Sequence, residues 1–231
     1  MNIAWTRIRC NFKYQELKMK LFRSRKEEIV KVSPDDLLEG QIINSAKNDV
    51  AWYNIPVHGI RLYQFIRWGK KWKDDHTVYY VGKANGKFKV PHVFEVTLPR
   101  AKYTPLSEIL EGDCTFNVYA YAHALPGKDD LKLMLEVCDE INGTYYDVGE
   151  LLDFMIQQIL GYPPDSWHSW FDMGKKNLVC SVGVMTIIMK WYNEKLKPLG
   201  LPRPGGDAHV ERCDPATFAN HPTFVHIGQL I

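Results

Sequence analysis

A thiol, an imidazole and a carboxylate stand out in this sequence because their spacing can bring them together. Cys180 lies near the start of the most apolar run, Leu178 to Met189, just after an aromatic-rich loop. In the first turn of a helix, unpaired backbone N–H groups and the helix dipole favour a thiolate. His76 begins a β-rich run, Thr77 to Val81, and Asn85-Gly86 then reads as a two-residue hairpin turn. Such a turn pairs Ala84 with Lys87 and, counted outward, His76 with Glu95. Directly opposed residues hold their Cβ atoms about 4.5–5.5 Å apart. A carboxylate at that distance accepts from one imidazole nitrogen, fixes the tautomer and raises the basicity of the other. The chemistry on offer is attack by an activated thiolate on an acyl carbon. The same register sets His92 opposite Tyr79 on the other face. Pro91 falls inside the returning strand, and a bulge there would slip the register by one and part His76 from Glu95.

Each of these residues also has a plainer use. Cys180, Val184, Ile187, Ile188 and Trp191 share one helical face, the pattern of a packed core cysteine. The remaining cysteines, Cys10, Cys114, Cys138 and Cys213, form no CxxC pair, and the total of five is odd. With no leader-like apolar region in the first 20 residues, this argues against a disulfide framework.

The elements that must carry the three residues follow from patterning. Ser33-Pro34-Asp35-Asp36 reads as a cap and a short helical turn ending at Gly40, and Gln41-Ile42-Ile43 as the start of a buried strand. Residues 44–75 read as an irregular stretch with an aromatic and basic segment from Val57 to Trp72. Phe88 to Thr97 is the returning strand of the hairpin, and Thr115 to Ala122 a further strand. Helices are expected over Asp129 to Ile141, stopped by Asn142-Gly143, over Gly149 to Leu160, and over Leu178 to about Leu196. A final strand covers Phe224 to Ile227. Strands precede helices, which predicts an α+β domain with a mostly antiparallel sheet packed against helices.

The order of these segments resembles the circularly permuted branch of the NlpC-type, papain-like cysteine peptidases and amidases. In that branch a Gly-Asp-Ile-Ile-type strand opens the domain, here Gly40-Gln41-Ile42-Ile43. A His-Val-x-x-Tyr-Val-Gly strand follows, here His76-Thr77-Val78-Tyr79-Tyr80-Val81-Gly82. Then come a polar residue in an apolar strand, Val93-Phe94-Glu95-Val96, and a Gly-x-x-Tyr-Asp element, Gly143-Thr144-Tyr145-Tyr146-Asp147. A helix opening with Cys-Ser, here Cys180-Ser181, and a Pro-bounded segment leading to Phe224-Val225 complete the order. Gln41 departs from the usual Asp, and the stretch before His76 is long. The resemblance covers about residues 34–228. It implies a papain-like core with Cys180 as nucleophile on a helix N-terminus, His76 as general base and Glu95 as the orienting group. It implies a thioester acyl-enzyme formed on a peptide-like or acylated small substrate, including cell-wall-type peptides. The wider group also holds acyl-transferring relatives of lecithin–retinol acyltransferase. No metal or cofactor is called for.

Within that reading, backbone N–H groups at the start of the Cys180 helix are the natural oxyanion donors, joined by a hydroxyl from Tyr146. Tyr146 and Asp147 precede the next helix, and capping it is their first reading. Trp167 and Trp170, with His168 between and beside them, either wall the substrate cleft or belong to a satellite core.

Composition bounds the alternatives. The chain has 231 residues, 45% hydrophobic and 24% charged, which suits one core-forming domain and excludes global disorder. No apolar stretch reaches the roughly 18 residues of a membrane span, so the expected setting is the cytoplasm. The net charge of +2 hides an asymmetry: residues 1–31 carry nine basic and three acidic residues. Residues 1–33 therefore read as a basic N-terminal arm and 34–231 as the catalytic domain. The arm, with the Arg67-Trp68-Gly69-Lys70-Lys71-Trp72-Lys73 run, supports a rival: a catalytically silent module binding nucleic acid or an anionic glycan. No nucleic-acid motif accompanies it, and no nucleic-acid partner is expected. A second rival is a zinc enzyme using His209, Cys213, His221 and His226, whose spacing is scattered.

Overall fold

A computed structural model describes residues 30–48, 58–61, 64–65, 74–149, 153, 156–157, 160–161, 178–207 and 209–231. The chain divides into two units, Met1–Val30 and Lys31–Ile231, and of the first only Val30 is described.

Alternating β-branched and aromatic residues build the centre of the second unit. The strands are β1 (Lys31–Val32), β2 (Ile42–Lys47), β3 (His76–Gly82), β4 (His92–Glu95), β5 (Lys102–Pro105), β6 (Cys114–Tyr121) and β7 (Phe224–Leu230). Among the described residues they form a seven-stranded sheet in the order β1-β7-β6-β2-β3-β4-β5. β1 runs parallel to β7, and every other pairing is antiparallel. The fold is thus α+β on a mixed sheet. Lys31 and Val32, assigned by the sequence to the basic arm, belong to this sheet.

Helices α1 (Leu106–Leu110), α2 (Lys128–Ile141), α3 (Cys180–Trp191) and α4 (Pro215–Asn220) accompany the sheet. Because both faces are covered, β3 is buried on both, and its side chains sort by alternation. Tyr79 and Val81 join α2 and α3 in one core, with Phe94, Met134, Cys138, Ile187 and Trp191. Val78 and Tyr80 join a second core with Ile43, Val93, Leu106 and Val118. Each large apolar side chain buried this way contributes about 1.5–3 kcal/mol.

Helix α3 is apolar nearly all round, and only a centrally buried helix tolerates that. Its residues Cys180 to Met185 are all buried, as are Ile187, Ile188 and Trp191. Gly183 is where it comes closest to the sheet: a Cβ there would lie 2.4 Å from Val96 Cγ2. The helix passes into a π-turn over Tyr192–Leu196. α4 is closed by its own sequence. Thr217 N donates to Asp214 Oδ1 at 2.7 Å, Asp214 N donates to Thr217 Oγ1 at 3.1 Å, and Pro215 occupies the first turn.

The hairpin differs from its expected form. Residues 84–86 make a 3-10 turn in which both Ala84 and Asn85 have positive φ, not a two-residue loop. The returning strand is short, His92–Glu95, and Pro91 lies just outside it. Glu95 faces Val78 and His92 faces Gly82, so the pairings His76 with Glu95 and His92 with Tyr79 are both corrected. The slip at Glu95 is two residues, not one. Because side chains alternate with period two, Glu95 stays on the face of His76 and becomes its diagonal neighbour.

Candidate active site

The three residues singled out by chemistry meet at the start of β3. His76 is the first residue of that strand, Glu95 the last of β4, and Cys180 the first of α3. His76 Nε2 donates to Glu95 Oε2 at 3.0 Å. The Cys180 thiol lies against the same imidazole and interacts with it. The sulfur also accepts from the backbone N–H groups of Thr77 and Ser181. The β3–β4 ladder begins only at Val78 opposite Glu95, so Thr77 lies one residue beyond it.

The electrostatics follow from these contacts. Burial opposes ionisation of Cys180, but the hydrogen bond and positive charge of His76, with the two N–H donors, hold the thiol below its ordinary range. Burial likewise opposes a charged His76, and Cys180 and Glu95 together reverse that and raise its pKa to about 10. Burial would raise Glu95, yet His76, the Thr104 hydroxyl and the Lys102 charge keep it below the usual carboxylate range. The shifts run in the direction of a thiolate beside an imidazolium beside a carboxylate. The N-terminus of α3 adds its dipole, and Val179 at the N-cap has no side-chain acceptor to claim the first-turn N–H groups. Cys180 itself is 3% exposed, and the His76 side chain is the more open of the two at 25%.

Tyr146 and Asp147 lie well before Cys180 in sequence and next door to the start of α3 in space. Tyr146 bridges Leu178 in parallel, and Asp147 N donates to Leu178 O at 3.0 Å. Leu178 N donates back to Tyr145 O at 3.1 Å. The segment is therefore stitched to the residues that enter α3. Asp147 is buried and immediately precedes helical Val148. Tyr146 packs on Leu178 and on the small core of Ile60, Val179 and Val182. Trp167, His168 and Trp170 fall outside the described residues, as does the Arg67–Lys73 run.

Several polar residues around the site carried no sequence signal of a role. Thr104 and Lys102 on β5 contact Glu95 from the far side. Thr77 Oγ1 donates to Asn44 Oδ1 at 2.8 Å, and Asn44 Nδ2 donates to Asp74 Oδ2 at 3.1 Å and to Pro215 O at 2.7 Å. Ser181 Oγ donates to Cys213 O at 2.8 Å. The 213–215 segment thus braces both α3 and, through Asn44, the strand of His76. The adjacency Asp74-Asp75-His76 was the available signal for this network. Asp75, itself buried, makes a bidentate pair with Arg61, both contacts at 2.6 Å.

The residues of the zinc alternative are spread over separate partners. His209 pairs with Glu211, Cys213 Sγ lies 3.8 Å from Asp214 O, and His221 Nδ1 meets Thr223 Oγ1 at 2.7 Å. Among the described residues no group of three or more His, Cys, Asp or Glu is arranged to hold a metal ion. Cys114, Cys138, Cys180 and Cys213 form no disulfide. No described helix is long and apolar enough to cross a membrane. Compared with models of known protein families and with curated proteins, the chain matches none.

Proposed function

We propose that the protein is a thiol hydrolase of the permuted NlpC-type, papain-like kind, cleaving an amide bond through Cys180 and His76 with Glu95 orienting the imidazole. One observation carries this reading: the unbroken contact chain from Cys180 at the first position of α3, through His76, to Glu95. A buried structural cysteine needs neither the imidazole nor the carboxylate behind it.

The steps follow from the resting ion pair. The thiolate adds to the substrate carbonyl carbon, and first-turn N–H groups of α3 stabilise the oxyanion. Collapse breaks the C–N bond, and the His76 imidazolium protonates the departing amine. This leaves an acyl thioester on Cys180 and a neutral His76. Water, deprotonated by His76, attacks the thioester and releases the acid, restoring thiolate and imidazolium. Replacing water by another acceptor turns the same cycle into acyl transfer. Peptide-like amides, cell-wall-type peptides and acylated small molecules are the substrates to screen. Tyr146 and Asp147, stitched to Leu178, stand where they can border that substrate.

The test is the pH dependence of alkylation at each cysteine, read by mass spectrometry in wild type and in His76→Ala. Fast labelling of Cys180 well below pH 8, lost in the variant, is the expected result. Labelling of Cys180 no faster than that of buried Cys138 overturns the hydrolase reading and leaves the binding module in its place.

A further inference from the structure

The two oxygens of Glu95 are used differently. Oε2 accepts from His76, and Oε1 accepts from Thr104 Oγ1 at 2.5 Å, inside the protein. Strand register explains the second contact. Lys102 lies directly opposite Glu95 on β5, and Thr104 lies opposite Val93, so both β5 side chains share the face of Glu95. Thr104 is 2% exposed, and Val93 across from it is fully buried and apolar. A hydroxyl withdrawn from water in such surroundings needs an acceptor, and Glu95 supplies it. A β-branched side chain has few χ1 choices, so the donor stays where the strand puts it. The charged groups facing Glu95 are His76 from β3 and Lys102 from β5, with the Cys180 thiol of α3 beyond the imidazole. Lys102 stands farther off, its Nζ 3.7 Å from Oε1, on a half-exposed stem.

We infer that Thr104 is a positioning residue of the site, clamping one oxygen of Glu95 so that the other, ionised, faces His76. This rests on the thiol-hydrolase reading for its catalytic meaning. The line of control then runs across three adjacent strands, from the edge strand β5 through β4 to β3, before it reaches the thiol. Thr104 touches no reacting atom and acts through Glu95.

The experiment compares wild type, Thr104→Val and Thr104→Ser, with Thr104→Ala in reserve if the valine variant does not fold. Two readouts are taken: the pH profile of Cys180 alkylation, and an NMR titration of the Glu95 carboxyl carbon. Losing one hydrogen bond to a charged group is expected to raise the Glu95 midpoint by about one pH unit, and to move the acid limb of alkylation up with it. Thr104→Ser keeps the hydroxyl and restores the wild-type limb. In a Glu95→Gln background, adding Thr104→Val leaves the limb where Glu95→Gln put it. A merely structural Thr104 would lower thermal stability without moving either midpoint. An unmoved Glu95 titration in Thr104→Val overturns the inference while wild-type labelling of Cys180 stays selective. Unselective labelling in wild type sinks the hydrolase reading instead, and the Glu95 titration still decides whether Thr104 holds the carboxylate.

Discussion

Glu95 and Asp74 are two carboxylates that fold to the same depth, 6% and 5% exposed, on either side of the start of β3. Their protons behave in opposite ways. Glu95 faces an imidazole, a hydroxyl and a lysine, and these outweigh burial and hold it ionised. Asp74 is pushed up to about 6, foremost by burial, against the amides of Asn44 and Asn117, while the charges of Asp75 and Asp214 add to the push. Exposure is matched, but Asp74 is the more strongly desolvated, and its partners do not offset that. A cation within hydrogen-bonding reach keeps a buried carboxylate charged, whereas neutral amides and neighbouring acids do not. The molecule thus holds an electrostatic site and a scaffold a few residues apart, built from the same functional group.

The largest break in this comparison is to remove the cation. His76→Ala is expected to slow Cys180 alkylation near neutral pH about a hundredfold, and to drive Glu95 upward until it resembles Asp74. Labelling rates and the Glu95 titration check both halves. Next is Asp74→Asn. The folded pKa of Asp74 lies above its ordinary value of 3.8, so its contribution to stability is full below that value and is lost as pH rises through about 6. An asparagine removes this loss, and urea unfolding at acid and neutral pH is expected to show a flatter profile, by at most about 3 kcal/mol. Glu95 has the opposite sign. Its folded pKa is depressed, so its contribution is present above the ordinary carboxylate range and fades as pH falls, and Glu95→Gln removes a decline on the acid side.

A smaller change tests the geometry without touching either carboxylate. Gly183→Ala forces a Cβ against Val96 and is expected to cost about 1–3 kcal/mol in thermal or urea unfolding. If the helix yields by moving away from β4, Cys180 labelling slows in step. The smallest effect belongs to Lys102→Ala. On a half-exposed stem its charge is worth about a twofold change in Cys180 labelling, disappearing in high salt.

Much of the frame was legible in the sequence because it is local. The β-branched and aromatic run from Thr77 to Val81 predicted β3, and the apolar density after Cys180 predicted α3. Asn142-Gly143 marked the end of α2, with Asn142 as its C-cap and Gly143 at φ +82°. The hairpin register was not legible. Asn-Gly is a strong signal for a two-residue turn, but here Ala84 also turns left-handed and the loop spreads to His92. The neighbourhood of His76 and Glu95 survived only because the slip was even. β5 and α1 were missed: a four-residue edge strand closing on Pro105 has too little pattern to read. Thr104 was missed with them, since nothing in its local sequence points across to Glu95 on the neighbouring strand. Asn44 was hidden in the same way, its partners lying 30, 33 and 171 residues away.

The parallel pairing of β1 with β7 sets a kinetic character as well as a shape. Lys31 and Val32 meet Gln229 and Leu230, about two hundred residues further along, and contacts of such long range form late because loop closure comes first. Interactions absent from the folding transition state govern how fast a protein comes apart, not how fast it assembles. This two-residue strand at the margin of the sheet is therefore expected to behave as a latch. Loosening it is expected to shorten the lifetime of the native state while leaving the refolding rate almost untouched, which stopped-flow folding and unfolding rates check.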